Sequence, residues 1–420
     1  MTPDERVEDL LRSLAPKVLG ALVHRHQSFD LCEDAVQEAL LEASAKWPTE
    51  GVPDQPGPWL TTVATRRLID RVRSEHARRQ REERVLVGSP PSEIMGAAIA
   101  ESSRDQDDSL LLLLLCCHPA LSPPTQIALT LRAVGGLTTA QIASAFFVPE
   151  ATMAQRISRA KQGIREAGAT FSMPPPAEID GRIRSVLHVL YLVHNEGHTA
   201  SSGETITRAD LTHEAIRLTR QLHAARPDDA EVMGLLALML LTEARRPARL
   251  DPAGRLVDLP DQDRGLWERS LVAEGVQLVT EALRKGKPGA YQLQAAIAAV
   301  HDEASCAEET DWTEILLLYQ LLDSIAPNPM ATLNRSLALA MVEGPEAGIR
   351  LLATLDGDRR VASHHRLFAM RGHLLQLAGE SDAAAEAFET AARRCTSLPE
   401  RRYLQERART LRGRRAFRCP

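Results

Sequence analysis

Leu137-Thr138-Thr139-Ala140-Gln141-Ile142-Ala143 opens a short helix, Phe146-Phe147-Val148-Pro149-Glu150 breaks it, and Ala151-Thr152-Met153-Ala154-Gln155-Arg156-Ile157-Ser158-Arg159-Ala160-Lys161 starts a second. Thr138 is the expected N-cap, because a hydroxyl there can accept a hydrogen bond from an amide that has no partner within the first turn. Two short helices joined by a tight turn, the second basic and amphipathic, predict a helix-turn-helix. Ile142, Ala143, Val148, Met153 and Ile157 form its expected core, and the small Ala143 lets the two helices approach. Gln155, Arg156, Ser158, Arg159 and Lys161 are expected to face outward, with Thr152 in the same candidate DNA-binding set. Gln155 and Arg159 suit base edges in the major groove, whereas Arg156 and Lys161 suit phosphates. The bland reading of the same pattern is a basic amphipathic helix in an all-helical bundle.

Working outward, the whole chain favours helices. It has 420 residues, 44% hydrophobic and only 4% aromatic, with a formal net charge of −6. Helix formers dominate, and the residues that a large sandwich or barrel needs are scarce, so the expected class is all-α. The length fits two to four domains. Mild acidity excludes a uniformly basic coating protein but leaves room for local basic surfaces. The longest apolar run, Leu110 to Cys117, is far short of a membrane span, and no signal peptide is visible at the start. Six cysteines carry no CxxC pair, which argues against a disulfide framework or a zinc module. The expectation is a cytoplasmic protein with reduced thiols, no cofactor and no metal.

Two breaks divide the chain. Gly88-Ser89-Pro90-Pro91-Ser92 opens a polar stretch ending in Asp107-Asp108, and Met173-Pro174-Pro175-Pro176 forms a stiff spacer. The expected segments are 1–85, a linker 86–108, 109–170 and 177–420. In the first, Leu10, Leu11, Leu14, Val18, Leu19 and Leu22 recur at helical spacing. A second helix, with an acidic start formed by Asp30 and the run from Glu33-Asp34, is closed by Trp47-Pro48. A third starts near Pro58 with Trp59, Leu60, Val63, Leu68, Ile69 and Val72 inward. Between 66 and 84 that helix carries eight arginines against four carboxylates, an excess of four positive charges. This is either a solvated arginine face or a surface for nucleic acid with unstacked bases.

These segments together resemble the extracytoplasmic-function sigma-70 family. Asp34-Ala35-Val36-Gln37-Glu38-Ala39 and Pro58-Trp59-Leu60 through Arg66-Arg67-Leu68-Ile69-Asp70 are similar to its region 2, and Leu137 through Ala160 to its region 4. The resemblance covers roughly the first 170 residues, with both motifs in the family's order. It implies that Asp34, Gln37 and Glu38 dock on the clamp helices of the largest RNA polymerase subunit. It also implies that Trp59, Arg66, Arg67, Asp70, Arg71 and Arg73 read and melt the −10 promoter element. The loop from Thr49 to Gly57 then shapes the pocket for an extruded base. That loop is proline-rich, so no single base-flipping residue is assigned. Region 4 reads the −35 element and touches the β flap.

The third segment extends the resemblance to the subgroup with a large tetratricopeptide-like extension. The matching stretches are Tyr191 through His198, Ala200 through Gly203, Leu235 through Leu240, Ala244 through Arg249 and Asp261-Gln262-Asp263-Arg264. Read from spacing alone, Phe368, Gly372 and Leu375, then Ala384, Phe388 and Ala391, with Pro399 following, fit one helical repeat. His194, Glu196 and His198 raise a metal site, but Asn-Glu-Gly between the histidines predicts a helix end with Gly197 as its cap. The carboxylates Asp251, Asp258, Asp261, Asp263 and Glu268 lack a companion nucleophile and read as cross-links between hairpins. No enzyme is expected. The function implied is an alternative sigma factor whose extension modulates activity, with a protein or small-molecule regulator. The alternatives are a helix-turn-helix activator with a repeat-type sensor, and a scaffold built on the repeats.

Overall fold

The computed structural model describes residues 3–83, 109–146, 148–199 and 208–416. The expected linker 86–108, the stretch Ala200 to Gly203 and Phe147 lie outside the described residues, as do the side chains beyond Ser74 in the arginine-rich helix. Among the described residues every regular element is helical, and no helix is long and apolar enough to cross a membrane. The fold class is all-α, as the composition requires. Two compact units divide the chain, Met1–Val189 and Leu190–Pro420.

The first unit begins with α1 (Pro3–His26), α2 (Phe29–Glu50) and α3 (Pro56–Glu83), followed by α4 (Ser109–Cys116), α5 (Pro123–Ala133), α6 (Thr139–Ala145) and α7 (Glu150–Glu166). Val18, Leu19 and Leu22 of α1 pack inward with Ala35, Val36 and Ala39 of α2, and Leu60, Ala64 and Leu68 of α3 are 2% exposed or less. That i, i+4, i+8 row fixes which side of α3 is inside. Ile69 stands about 100° away from Leu68 on a 3.6-residue helix, and it is 42% exposed rather than inward. The second helix begins at Phe29, so only Asp30 of its acids lies in the first turn. It runs through Pro48 to Glu50 and is closed by Gly51, whose amide donates to Trp47 O.

In the second unit, the last part of α8 (Pro176–His198) is followed by α9 (Ala209–Ala225) and α10 (Ala230–Ala244), then α11 (Arg269–Arg284) and α12 (Ala290–Glu303). α13 (Trp312–Ile325), α14 (Pro329–Glu343) and α15 (Pro345–Ala353) come next, before α16 (His365–Leu377), α17 (Ser381–Arg394) and α18 (Leu398–Ala416). The residues of the expected repeat spacing pack against one another. A Cβ on Gly372 would stand 2.9 Å from the Phe388 ring, and Ala384, Phe388 and Ala391 are all buried. Gly197 serves a different end from the cap the sequence predicts. α8 continues through it to His198, and a Cβ there would lie 2.6 Å from Thr212 N, so the glycine lets α9 pass close by.

Candidate polymerase and promoter interface

Thr138 closes a capping box at the start of α6. Its hydroxyl accepts from Gln141 N at 3.2 Å, while Gln141 Oε1 accepts from Thr138 N at 2.9 Å. Two amide donors that the helix leaves without partners are thereby satisfied. On α7 the residues Met153, Ile157, Ala160 and Ile164 form the buried stripe. The opposite face presents Thr152, Gln155, Ser158 and Arg159 to solvent, with Arg156 half-buried. Thr152, Gln155, Arg156 and Arg159 follow i, i+3, i+4, i+7 spacing, which places them on one side of the helix.

Lys161 departs from its expected outward position. Its side chain is 8% exposed, and Nζ lies 2.5 Å from Glu33 Oε2, 2.6 Å from Asp34 Oδ1 and 3.4 Å from Asp30 Oδ1. It directly follows Ala160 on the buried stripe, so its stem runs along the packed side while the ammonium reaches α2. Burial alone would lower its pKa, but Glu33 and Asp34 outweigh that and hold it raised. For Asp34, burial pushes up while Lys161 and Arg71 pull further down, leaving the carboxyl below its ordinary range. Arg132 Nε donates to Glu33 Oε1 at 2.8 Å, Gln37 Nε2 donates to Arg132 O at 3.0 Å, and Arg165 Nη2 lies 2.6 Å from Asp30 Oδ2.

The residues assigned to polymerase docking are therefore all engaged within this unit. Asp34 pairs with Lys161 and Arg71, Gln37 with α5, and Glu38 with Arg71 at 2.5 Å. Of those assigned to the −10 element, Arg66, Asp70 and Arg73 are exposed. Arg67 pairs with Glu42 at 2.9 Å and Arg71 bridges Asp34 and Glu38. Trp59 is half-buried, edge-on to Trp47 with ring centroids 5.5 Å apart. Sequence reading took Asp30 and Glu33 only as a helix-start charge and missed Arg132. The acidic pattern on α2 was the available signal, but its cationic partners lie about a hundred residues away.

Residues 10–79 match the sigma-70 region 2 family, and residues 111–162 match sigma-70, region 4. Residues 182–283 match a family of unknown function, DUF6596. Over 414 residues the chain is 41% identical to an uncharacterized protein of Rhizobium meliloti (strain 1021), covering 96% of each chain. The chain belongs to the sigma-70 family. It is a transcription initiation factor, binding core RNA polymerase and promoter DNA. The region 2 match spans most of α1 to α3, and the region 4 match spans most of α4 to α7.

In the second unit of this sigma-70 family chain, Asp261-Gln262-Asp263-Arg264 leads into a buried polar hub. Arg264 donates to His301 O at 2.7 Å and Ala304 O at 2.5 Å, and its guanidinium lies 4.8 Å from the Trp267 ring centre. Arg245 pairs with Asp302 and donates to Ala298 O at 2.8 Å. Burial lifts Asp302 to about 6, against the pull of Arg245. Asp258 accepts from Tyr403 and from Arg407 at 3.1 Å, tying its loop to α18. Asp251 instead closes its own turn with Arg255, and Asp263 caps the turn at Gly265.

His194 and His198 stack with ring centroids 6.0 Å apart. Burial lowers His194 to about 4; burial, then Arg249, lowers His198 well below its ordinary value. Arg249 donates to His198 O and to Thr199 Oγ1. This guanidinium opposes a cation at the pair, and among the described residues His194, Glu196 and His198 do not converge as ligands.

Proposed function

We propose that the chain is an alternative sigma factor of the extracytoplasmic-function type, with residues 1–85 as region 2, 86–108 as linker, 109–170 as region 4 and 177–420 as a tetratricopeptide-like extension that modulates activity. The observation carrying this reading is the exposed face of α7 behind a fully capped α6, preceded in the chain by a region 2 match. On it, Gln155 and Arg159 read bases of the −35 element, with Thr152, Arg156 and Ser158 alongside. Trp59, Arg66, Arg67, Asp70, Arg71 and Arg73 act at the −10 element. Asp34, Gln37 and Glu38 dock on the clamp helices of the largest subunit, and region 4 touches the β flap.

The contacts within the first unit set a condition on this scheme. Asp34 and Gln37 reach polymerase only by giving up Lys161, Arg71 and the α5 carbonyl, and Lys161 reaches a DNA phosphate only by leaving its carboxylates. Docking and the α2–α7 contact compete for the same groups. The factor works in the cytoplasm, where a protein or small molecule acting on the extension sets its activity. Comparing the full chain with residues 1–176 in promoter-specific transcription tests the role of the extension. A changed yield at equal polymerase occupancy is expected; identical yields would remove that role.

A further inference from the structure

We infer that His365, Cys395 and Glu400 form a site for a transition-metal dication of the zinc class, with three protein ligands and one open position. The three come from different elements: the first residue of α16, the residue that ends α17, and the first turn of α18. Their ligating atoms all lie within 4.8 Å of one another. His365 Nε2 is 3.3 Å from Glu400 Oε2, and Cys395 Sγ is 3.5 Å from the same oxygen. Zinc bonds of about 2.0–2.3 Å to nitrogen, oxygen and sulfur in a tetrahedron imply edges of roughly 3.3–3.7 Å. The two measured separations fall in that range.

A second observation is independent of the clustering. His365 Nε2 is fully buried and has no hydrogen-bond partner. Its polar neighbour on this side is the Glu400 carboxylate at 3.3 Å, with which it forms an ion pair only when protonated. A neutral imidazole nitrogen buried there without a hydrogen bond is costly, and a cation shared by the nitrogen and the Glu400 oxygen removes that cost. The donor set points to the metal class: thiolate and imidazole select zinc-like ions over magnesium or calcium, which prefer oxygen alone. Thiolate and carboxylate together neutralise a dication. The neighbouring Arg249 and Arg366, which act electrostatically on Glu400, then face a site of no net charge.

His365 and Glu400 also line a cavity of about 320 Å³ together with His198, Arg249, Asp258 and Tyr403. The fourth position is left to water or a small anion held there. This three-plus-one arrangement is that of an exchangeable site rather than a closed structural one.

The test uses the purified full-length chain, stripped with a chelator and titrated with Zn²⁺ and, separately, Co²⁺. One equivalent of zinc is expected per chain, and Co²⁺ should give a thiolate charge-transfer band with visible bands of a tetrahedral site. C395S should abolish the charge-transfer band. H365Q and E400Q should keep it while weakening zinc at least about tenfold, and C306S should change neither reading. Circular dichroism separates loss of a ligand from loss of fold, and E400Q alters only a partly exposed side chain. Failure of the wild-type chain to bind stoichiometrically, or binding that C395S and H365Q leave unchanged, would overturn the assignment.

Discussion

Lys161 and Arg245 both carry a positive charge into the interior to meet carboxylates, but the two clusters are built differently. Around Lys161, Asp30 and Asp34 keep about a third of their side-chain surface open to water, and only Glu33 is enclosed. Around Arg245, Asp302 is fully enclosed and the guanidinium also donates to the Ala298 carbonyl. Carboxylates that water can reach can exchange one cation for another. A carboxylate sealed among helices cannot. The first cluster therefore holds together the two segments proposed to bind polymerase and DNA, whereas the second fixes a scaffold.

The largest effect expected follows from the sealed cluster. D302A leaves Arg245 buried without its counter-charge and should destabilise the C-terminal unit by about 3–5 kcal/mol, measured by urea unfolding of the full chain. A loss below 1 kcal/mol would place the two clusters in one class.

Acid should separate the clusters next. His194 and His301 are both lowered to about 4 in the folded chain. Unfolding lets each take up a proton between pH 6.5 and 4, so stability falls as pH drops through that window, by about 3 kcal/mol per histidine at most. Asp302, raised to about 6, acts in the opposite sense, its contribution shrinking as pH rises from 3.8 to 6; two histidines against one carboxyl leave a net loss on acidification. The Asp34–Lys161 pair has the other sign of shift, and its contribution disappears only as pH falls through the lowered Asp34 value. Unfolding followed against pH should show the C-terminal unit weakening first, with H194Q flattening that slope.

K161M should cost about 1–3 kcal/mol, because Arg132 still serves Glu33 while one buried hydrogen-bonded charge is lost. High salt should reproduce part of this loss, since the open carboxylates are screened. The same variant should bind core polymerase more tightly in equilibrium titration. The smallest effect belongs to the exposed Arg220–Glu274 pair. E274A should change stability by roughly 0.2–1 kcal/mol.

Much of this was legible because it is local. The Thr138 cap, the α7 stripe and the Gly372–Phe388 packing each depend on residues within a few helical turns, where period and cap chemistry decide. What escaped depends on partners far apart in the chain. Lys161 looks like any basic residue on a recognition helix until α2 is placed beside it. Ile69 reads as core by hydrophobicity, but the row through Leu60, Ala64 and Leu68 decides the inner face. His365, Cys395 and Glu400 have no motif spacing, since three separate elements bring them together.

The most direct test of the central claim is in vitro transcription with purified core polymerase on the promoter upstream of the chain's own gene. The account predicts initiation that requires this protein, falls in R159A by the roughly 1–3 kcal/mol of one base contact, and falls in W59A through impaired opening. Absence of initiation with core alone, together with stimulation when a housekeeping sigma factor is present, would contradict it and make the protein an activator.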